Sequence, residues 1–115
     1  MEDTSILNDI KKLLGIDADY TAFDTDVILH INSVIRVLNQ LGIDASSFYI
    51  TDASSKWSEL LGENFGLLDE VKMYIYLRVR MLFDPPQNSF IVNSLKEQID
   101  ELAWRINVAV DPGDE

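Results

Sequence analysis

The sequence contains no cysteine and only one histidine, His30. Without cysteine there can be no disulfide framework, no thiolate zinc site and no cysteine nucleophile. A catalytic dyad at His30 would need a partner supplied by the fold, and no nucleophile-elbow pattern is present. We therefore expect no catalytic residue, no cofactor and no metal, and we interpret His30 as a partly buried packing residue.

Glycine is also scarce, and each of the five glycines lies at a helix boundary or in the tail. None of them belongs to a glycine-rich phosphate cradle. The acidic loop that begins at Asp17 resembles a calcium loop only faintly, because its sixth position is Ala22 and its twelfth is Ile28. A calcium loop needs glycine and a bidentate glutamate there. Helix capping by Asp24 or Thr25 explains these acids better.

Positive charge is the third shortage, since nine Lys and Arg face twenty Asp and Glu, for a net charge of −11. This balance excludes a general basic patch that coats nucleic acid. No apolar run approaches the roughly 20 residues that span a bilayer. The first residues are acidic where a signal peptide would be basic. We therefore expect a protein that is made and kept inside a cell, or inside something built there, without membrane association.

The 115 residues, with 47% hydrophobic and 25% charged, suffice for one folded core. Helical periodicity dominates, so we predict an all-α fold, a compact bundle of four to five helices. We expect a single helical domain over 1–110 and an acidic flexible tail over 111–115. The predicted helices cover 5–14, 25 or 26 to 42, 55–61, 67–83 and 90–106, and 45–55 holds at most one short extended piece.

The long helix predicted over 67–83 has apolar residues almost all round. Such a helix is central in the bundle or has a second protein surface against it. It ends at Asp84-Pro85-Pro86, because proline cannot continue the hydrogen-bond ladder.

Three side chains have unusual placements on their helices and are candidate interface residues. Arg78 lies within an apolar face, so its charge must meet a carboxylate, reach solvent or contact another chain. Leu29 lies on the outer face of its helix. Trp104 lies opposite the apolar stripe of the last helix, where it is an interface anchor unless the tail covers it.

One block at the end of the predicted long helix reads Tyr74-Ile75-Tyr76-Leu77-Arg78-Val79-Arg80-Met81-Leu82-Phe83-Asp84-Pro85-Pro86. This block resembles the signature of the small head–tail connector proteins of tailed bacteriophages. These are head-completion or adaptor proteins, often labelled possible DNA-packaging proteins. Segments 26–42, the Trp57 helix and 101–108 agree in order, so the similarity covers roughly 6–108. Ala103 departs from the pattern, which has an acidic residue there, so no ion pair is expected at that position.

The resemblance implies a structural, non-enzymatic subunit of the virion at the head–tail junction, assembled in the bacterial host cytoplasm. It implies a ring, expected to be a dodecamer, beneath the portal protein, although the chain alone is expected to be monomeric. The ring would extend the channel through which genomic DNA passes without sequence-specific binding. It would also offer a platform to a downstream head–tail joining or stopper protein.

Within the signature, we take Arg78, Arg80 and Asp84 as organising residues. Outside it, we predict that the region from Trp104 onward contacts the portal protein. Arg80 and Asp84 are one helical turn apart and can pair locally. The alternative function is a small acidic helical interaction or regulatory module, which would need its acids clustered on one face. An enzyme would need a deep pocket where His30 meets two carboxylates.

Overall fold

The computed structural model describes residues 3–110, and the predicted tail at 111–115 lies outside them. Within 3–110 there are helices and no named strand, which confirms the all-α prediction. The α-helices are α1 (Ile6–Leu13), α2 (Asp24–Leu41), α3 (Trp57–Leu61), α4 (Leu68–Phe83) and α5 (Ser89–Val110). A 3-10 helix, Gly62–Leu67, joins α3 to α4.

The central element is α4, as its apolar composition predicts. It packs against α2 on one side and α5 on the other, and it also contacts α1. Its side chains Val71, Ile75 and Val79 are fully buried. Each such apolar side chain contributes about 1.5–3 kcal/mol when removed from water. Met73 and Leu82 remain exposed, so part of the apolar circumference of α4 faces solvent.

The C-terminal ends of α2 and α5 lie against each other. Gly42 closes α2 in the left-handed region with φ +117°, and its N–H donates to the carbonyl of Asn39 at 3.2 Å. A Cβ at Gly42 would lie 2.4 Å from Cγ2 of Val110, at the end of α5. Asn107 also donates from Nδ2 to the Leu41 carbonyl at 2.9 Å. Glycine is therefore required at position 42 both by its backbone and by the close approach of α5.

A buried lysine fixes the loop between α1 and α2. The side chain of Lys11 is 1% exposed, and its ammonium donates to the carbonyls of Ala18 at 3.1 Å and Tyr20 at 2.7 Å. Its third partner is the carboxylate of Asp24, at 2.7 Å. Two carbonyl acceptors and an opposite charge thus surround the ammonium, which offsets the cost of burying it. The prediction that Asp24 or Thr25 caps α2 is wrong, because Phe23 is the N-cap residue and Asp24 pairs with Lys11.

A second polar cluster joins α1, α3 and α4 through the carboxylate of Asp9. Its Oδ2 accepts from Nε1 of the buried Trp57 at 2.8 Å and from the Thr4 hydroxyl, and it pairs with Lys72 at 3.3 Å. Burial alone would raise the pKa of Asp9, but the hydrogen bonds from Thr4, Trp57 and Lys72 outweigh it. The pKa of Asp9 is therefore held below its usual value.

Several helix ends differ from those predicted. Ser5 caps α1 by accepting from the Asn8 N–H at 3.1 Å, whereas Thr4 bonds to Asp9 instead. The predicted helix over 55–61 is shorter at its start, and its apolar residues are buried as expected. At the other end of the chain, α5 extends four residues beyond the predicted 106 because Val110 packs on the end of α2.

Candidate functional site

The side chain of Arg78 lies at the edge of a groove between α4 and α5. Its Nη1 donates to the Tyr74 hydroxyl at 3.2 Å, and its guanidinium carbon lies 5.6 Å from the centre of the same ring. The three ion pairs found within residues 3–110 do not include Arg78. Of the three outcomes expected for this charge, an internal carboxylate partner is not found within residues 3–110. Arg78 is half-buried, and its charge is held by the aromatic ring and the groove.

This α4–α5 groove has a volume of about 300 Å³. Its floor is apolar, and two cations and one carboxylate stand at its edge. Within the described part of the chain, neither cation has a carboxylate within 4 Å. The lining residues are Arg78, Met81, Leu82, Lys96, Ile99 and Asp100.

Arg80 and Asp84 do not form the local pair that their spacing allows. Nη1 of Arg80 lies 3.4 Å from the Tyr76 hydroxyl, and the ion pairs of the described chain include neither Arg80 nor Asp84. Asp84 instead ends α4 by donating its backbone N–H to the Arg80 carbonyl at 2.8 Å. The two side chains share a small cleft with the end of α1, so both remain available to a partner.

Trp104 is exposed on the outer face of α5, as its helical position predicts. Its side chain is 66% exposed. Glu97 and Glu101 precede it by two turns and one turn on this face, and Val108 follows by one turn and is also exposed. Glu101 pairs with Arg105 at 2.5 Å. The outer face of α5 therefore presents one aromatic side chain among carboxylates.

Leu29 belongs to a second exposed apolar surface, on the other side of the bundle. Leu29 and Tyr49 are each 65% exposed, and both line a groove of about 480 Å³ between α2 and the loop that follows it. Asn32 fixes this loop by exchanging two hydrogen bonds with the backbone of Ile50, at 2.8 and 2.9 Å. Arg36 adds three donations to backbone carbonyls of the same loop. The loop is thus held in place by side chains of α2.

One end of the bundle carries a row of contacting aromatic side chains that the sequence analysis did not identify. The rings of Tyr20 and Phe23 are 5.6 Å apart, and those of Phe23 and Phe83 are 5.3 Å apart. His30 meets Phe83 at 6.4 Å, which agrees with its interpretation as a packing residue. Phe90 is 85% exposed at the start of α5. Its exposure could have been read from its position at the helix end, outside the apolar stripe of α5.

The site residues therefore lie on separate surfaces. Arg78 and Arg80 belong to α4, Trp104 to the outer face of α5 and Leu29 to α2. In the described residues, Arg78, Arg80 and Leu29 line three different grooves. In the region covered by the structure, no group of three His, Cys, Asp or Glu side chains could hold a metal ion. Exposed aromatic and arginine side chains are typical anchors at protein interfaces, so these residues remain candidates for contacts with other proteins.

In a comparison with protein families, the chain matches a model described as phage connector protein over residues 6–113. This match spans almost the whole sequence. The chain belongs to the phage connector protein family. Searches of curated proteins and of solved structures found no match.

Membership of this family implies association with phage portal and tail proteins and a place in the virion. The family is structural rather than enzymatic. The bacteriophage signature that the sequence suggested over 74–86 is thereby confirmed at the level of the family. No helix in the described ranges is both long and apolar enough to cross a bilayer.

Proposed function

We propose that this chain is a structural subunit of the phage head–tail connector. It assembles as a ring, expected to be a dodecamer, beneath the portal protein, and extends the DNA channel. On its other side it receives a head–tail joining or stopper protein. The observation that carries this proposal is the family match over residues 6–113.

The distribution of exposed apolar side chains supports this assignment. A subunit that contacts two ring neighbours, a portal and a joining protein needs several separate surfaces. The chain offers the groove at Leu29 and Tyr49, the outer face of α5 at Trp104 and the exposed apolar start of α5 at Phe90. A closed ring joins unlike surfaces of successive copies, and these surfaces are unlike.

The charge of the chain supports the role of a conduit. A net charge of −11 repels the phosphate backbone, so duplex DNA can pass without binding tightly to the wall. No base-reading element is proposed. The chain acts through protein contacts, and its most interconnected polar side chains, Lys11 and Asp9, serve the fold.

The test is deletion of the gene from the phage that encodes the chain, followed by electron microscopy of lysates. We expect filled or leaking heads without tails beside free tails, and tailed particles again when the gene is supplied in trans. Normal tailed particles after deletion would overturn the proposal and favour the acidic regulatory module.

A further inference from the structure

The α4–α5 groove and the outer face of α5 have complementary chemistry. The α4–α5 groove has an apolar floor formed by Met81, Leu82 and Ile99, with the cations Arg78 and Lys96 at its edge. The outer face of α5 presents the opposite combination, an exposed indole flanked by carboxylates. The net charge of the chain is −11, yet these two cations have no carboxylate within 4 Å among residues 3–110, which is unusual beside an apolar groove.

The indole of Trp104 matches the groove in size and chemistry. A volume of about 300 Å³ is small for a ligand pocket but sufficient for one aromatic side chain. Buried tryptophan gives a large apolar contact, and its N–H needs an acceptor. Asp100, at the edge of the groove, can supply that acceptor.

The charges around the two surfaces also match. Glu97 and Glu101 flank Trp104, and Arg78 and Lys96 flank the groove. Asp100 reduces the positive charge of the groove but does not cancel it, since one carboxylate faces two cations. Complementary charges at an interface set the register and disfavour wrong partners.

The tryptophan of the same chain does not fill the groove. Trp104 follows Asp100 by one turn, but its side chain is 66% exposed and does not line the groove. A second copy can supply the indole, and because the two surfaces differ, the contact can repeat from copy to copy in one direction.

We propose that Trp104 of one copy, with Glu97 and Glu101, docks into the α4–α5 groove between Arg78 and Lys96 of the next copy. This inference rests on the proposed connector function and names the contact that joins neighbours in the ring. The other possible occupant, a segment of the portal or joining protein, is separated from it by the experiment below.

The absence of native cysteine allows a direct cross-linking test. We would introduce Glu101→Cys on the outer face and Lys96→Cys at the groove, both in one chain, and oxidise assembled particles. The two positions are five residues apart on one helix, a rise of about 7.5 Å, so a disulfide within one chain is excluded by distance. The expected product is a ladder of dimers, trimers and higher species on a non-reducing gel.

Three controls test whether the cross-linked ladder comes from the proposed contact. Glu101→Cys paired with Lys12→Cys, an exposed lysine of α1, should give no ladder. Particles assembled from a mixture of chains that carry Glu101→Cys or Lys96→Cys singly should give a cross-linked heterodimer, which shows contact between copies. Trp104→Ala should reduce that heterodimer about 30-fold, the usual effect at an interface hot spot, whereas Leu29→Ala, equally exposed in the free chain, should not.

The outcomes separate this inference from the connector function itself. Particles that contain the chain at the head–tail junction but give no ladder above the Lys12 control would overturn the inference and leave the connector function intact. A cross-link from the groove to a different protein would also overturn it. Particles that lack the chain altogether would instead contradict the proposed function. All three cysteine positions are exposed, so circular dichroism should show thermal melting close to that of the unaltered chain.

Discussion

Replacement of Lys11 by methionine tests the polar contacts that hold the loop before α2. Methionine keeps most of the buried aliphatic stem and removes the ammonium. The variant therefore loses the two carbonyl hydrogen bonds and the ion pair with Asp24, while apolar burial changes little.

The size of the expected loss of stability depends on how exposed the partners of the Lys11 ammonium are. Removing one member of a buried ion pair costs about 3–5 kcal/mol. The Asp24 side chain is 27% exposed, and Ala18 and Tyr20 lie on the surface, so water can replace part of what the ammonium supplied. We therefore expect a loss of about 2–3 kcal/mol, a large share of the roughly 5–15 kcal/mol that stabilises a typical domain.

The assay is thermal and urea unfolding followed by circular dichroism. A loss of this size corresponds to a fall in Tm of about 8–12 °C for a domain of this length. Lys12→Met is the matched control, because Lys12 is the exposed neighbour and should change Tm by about 1 °C or less. If Lys11→Met melts within about 1 °C of the Lys12 control, the reasoning about the buried ammonium is refuted.

Three further perturbations test other contacts. The pKa of Asp9 is lower in the folded chain than in the unfolded chain. The ionised carboxylate therefore stabilises the fold above about pH 4, and this contribution declines as the pH falls through the pKa of Asp9 in the folded chain. Asp9→Asn should therefore differ most from the unaltered chain at neutral pH and converge with it in acid, and a constant difference in unfolding free energy down to pH 2 would contradict this. Gly42→Ala should lower the free energy of unfolding by more than about 1 kcal/mol. Adding Val110→Ala should restore the part of this loss that comes from the close approach of Val110, but not the part that comes from the positive φ of residue 42. Full additivity of the two substitutions in a double-mutant cycle would contradict the contact. Arg80→Ala should lower Tm by no more than about 4 °C, since its one polar contact is long, and a loss of assembly with unchanged melting would assign Arg80 to an interface.

The positions of the long helices could be predicted from the sequence because their apolar residues recur at helical spacing. α2 and α4 begin and end within about one residue of the predicted bounds, and α5 within about one turn. The 3-10 helix Gly62–Leu67 has no such periodicity and was not predicted. The burial of Lys11 could not be predicted either, because its acceptors come from a loop and from α2, which only the tertiary fold brings together.

The candidate site could be predicted only in part. The exposure of Leu29 and Trp104 follows from their helical angle, which the sequence contains. The groove beside Arg78 depends on how α4 and α5 pack, so Lys96 and Asp100 could not be recognised as its edge. The expected pair of Arg80 and Asp84 failed because Arg80 extends along α4 towards Tyr76.

The most direct test of the connector function is an electron cryomicroscopy reconstruction of the head–tail junction in particles of the phage that encodes this chain. We predict a ring of helical density beneath the portal, around the DNA channel, into which α2, α4 and α5 fit as one unit. A junction in which the portal contacts the tail directly, with no density that fits these helices, would contradict the account.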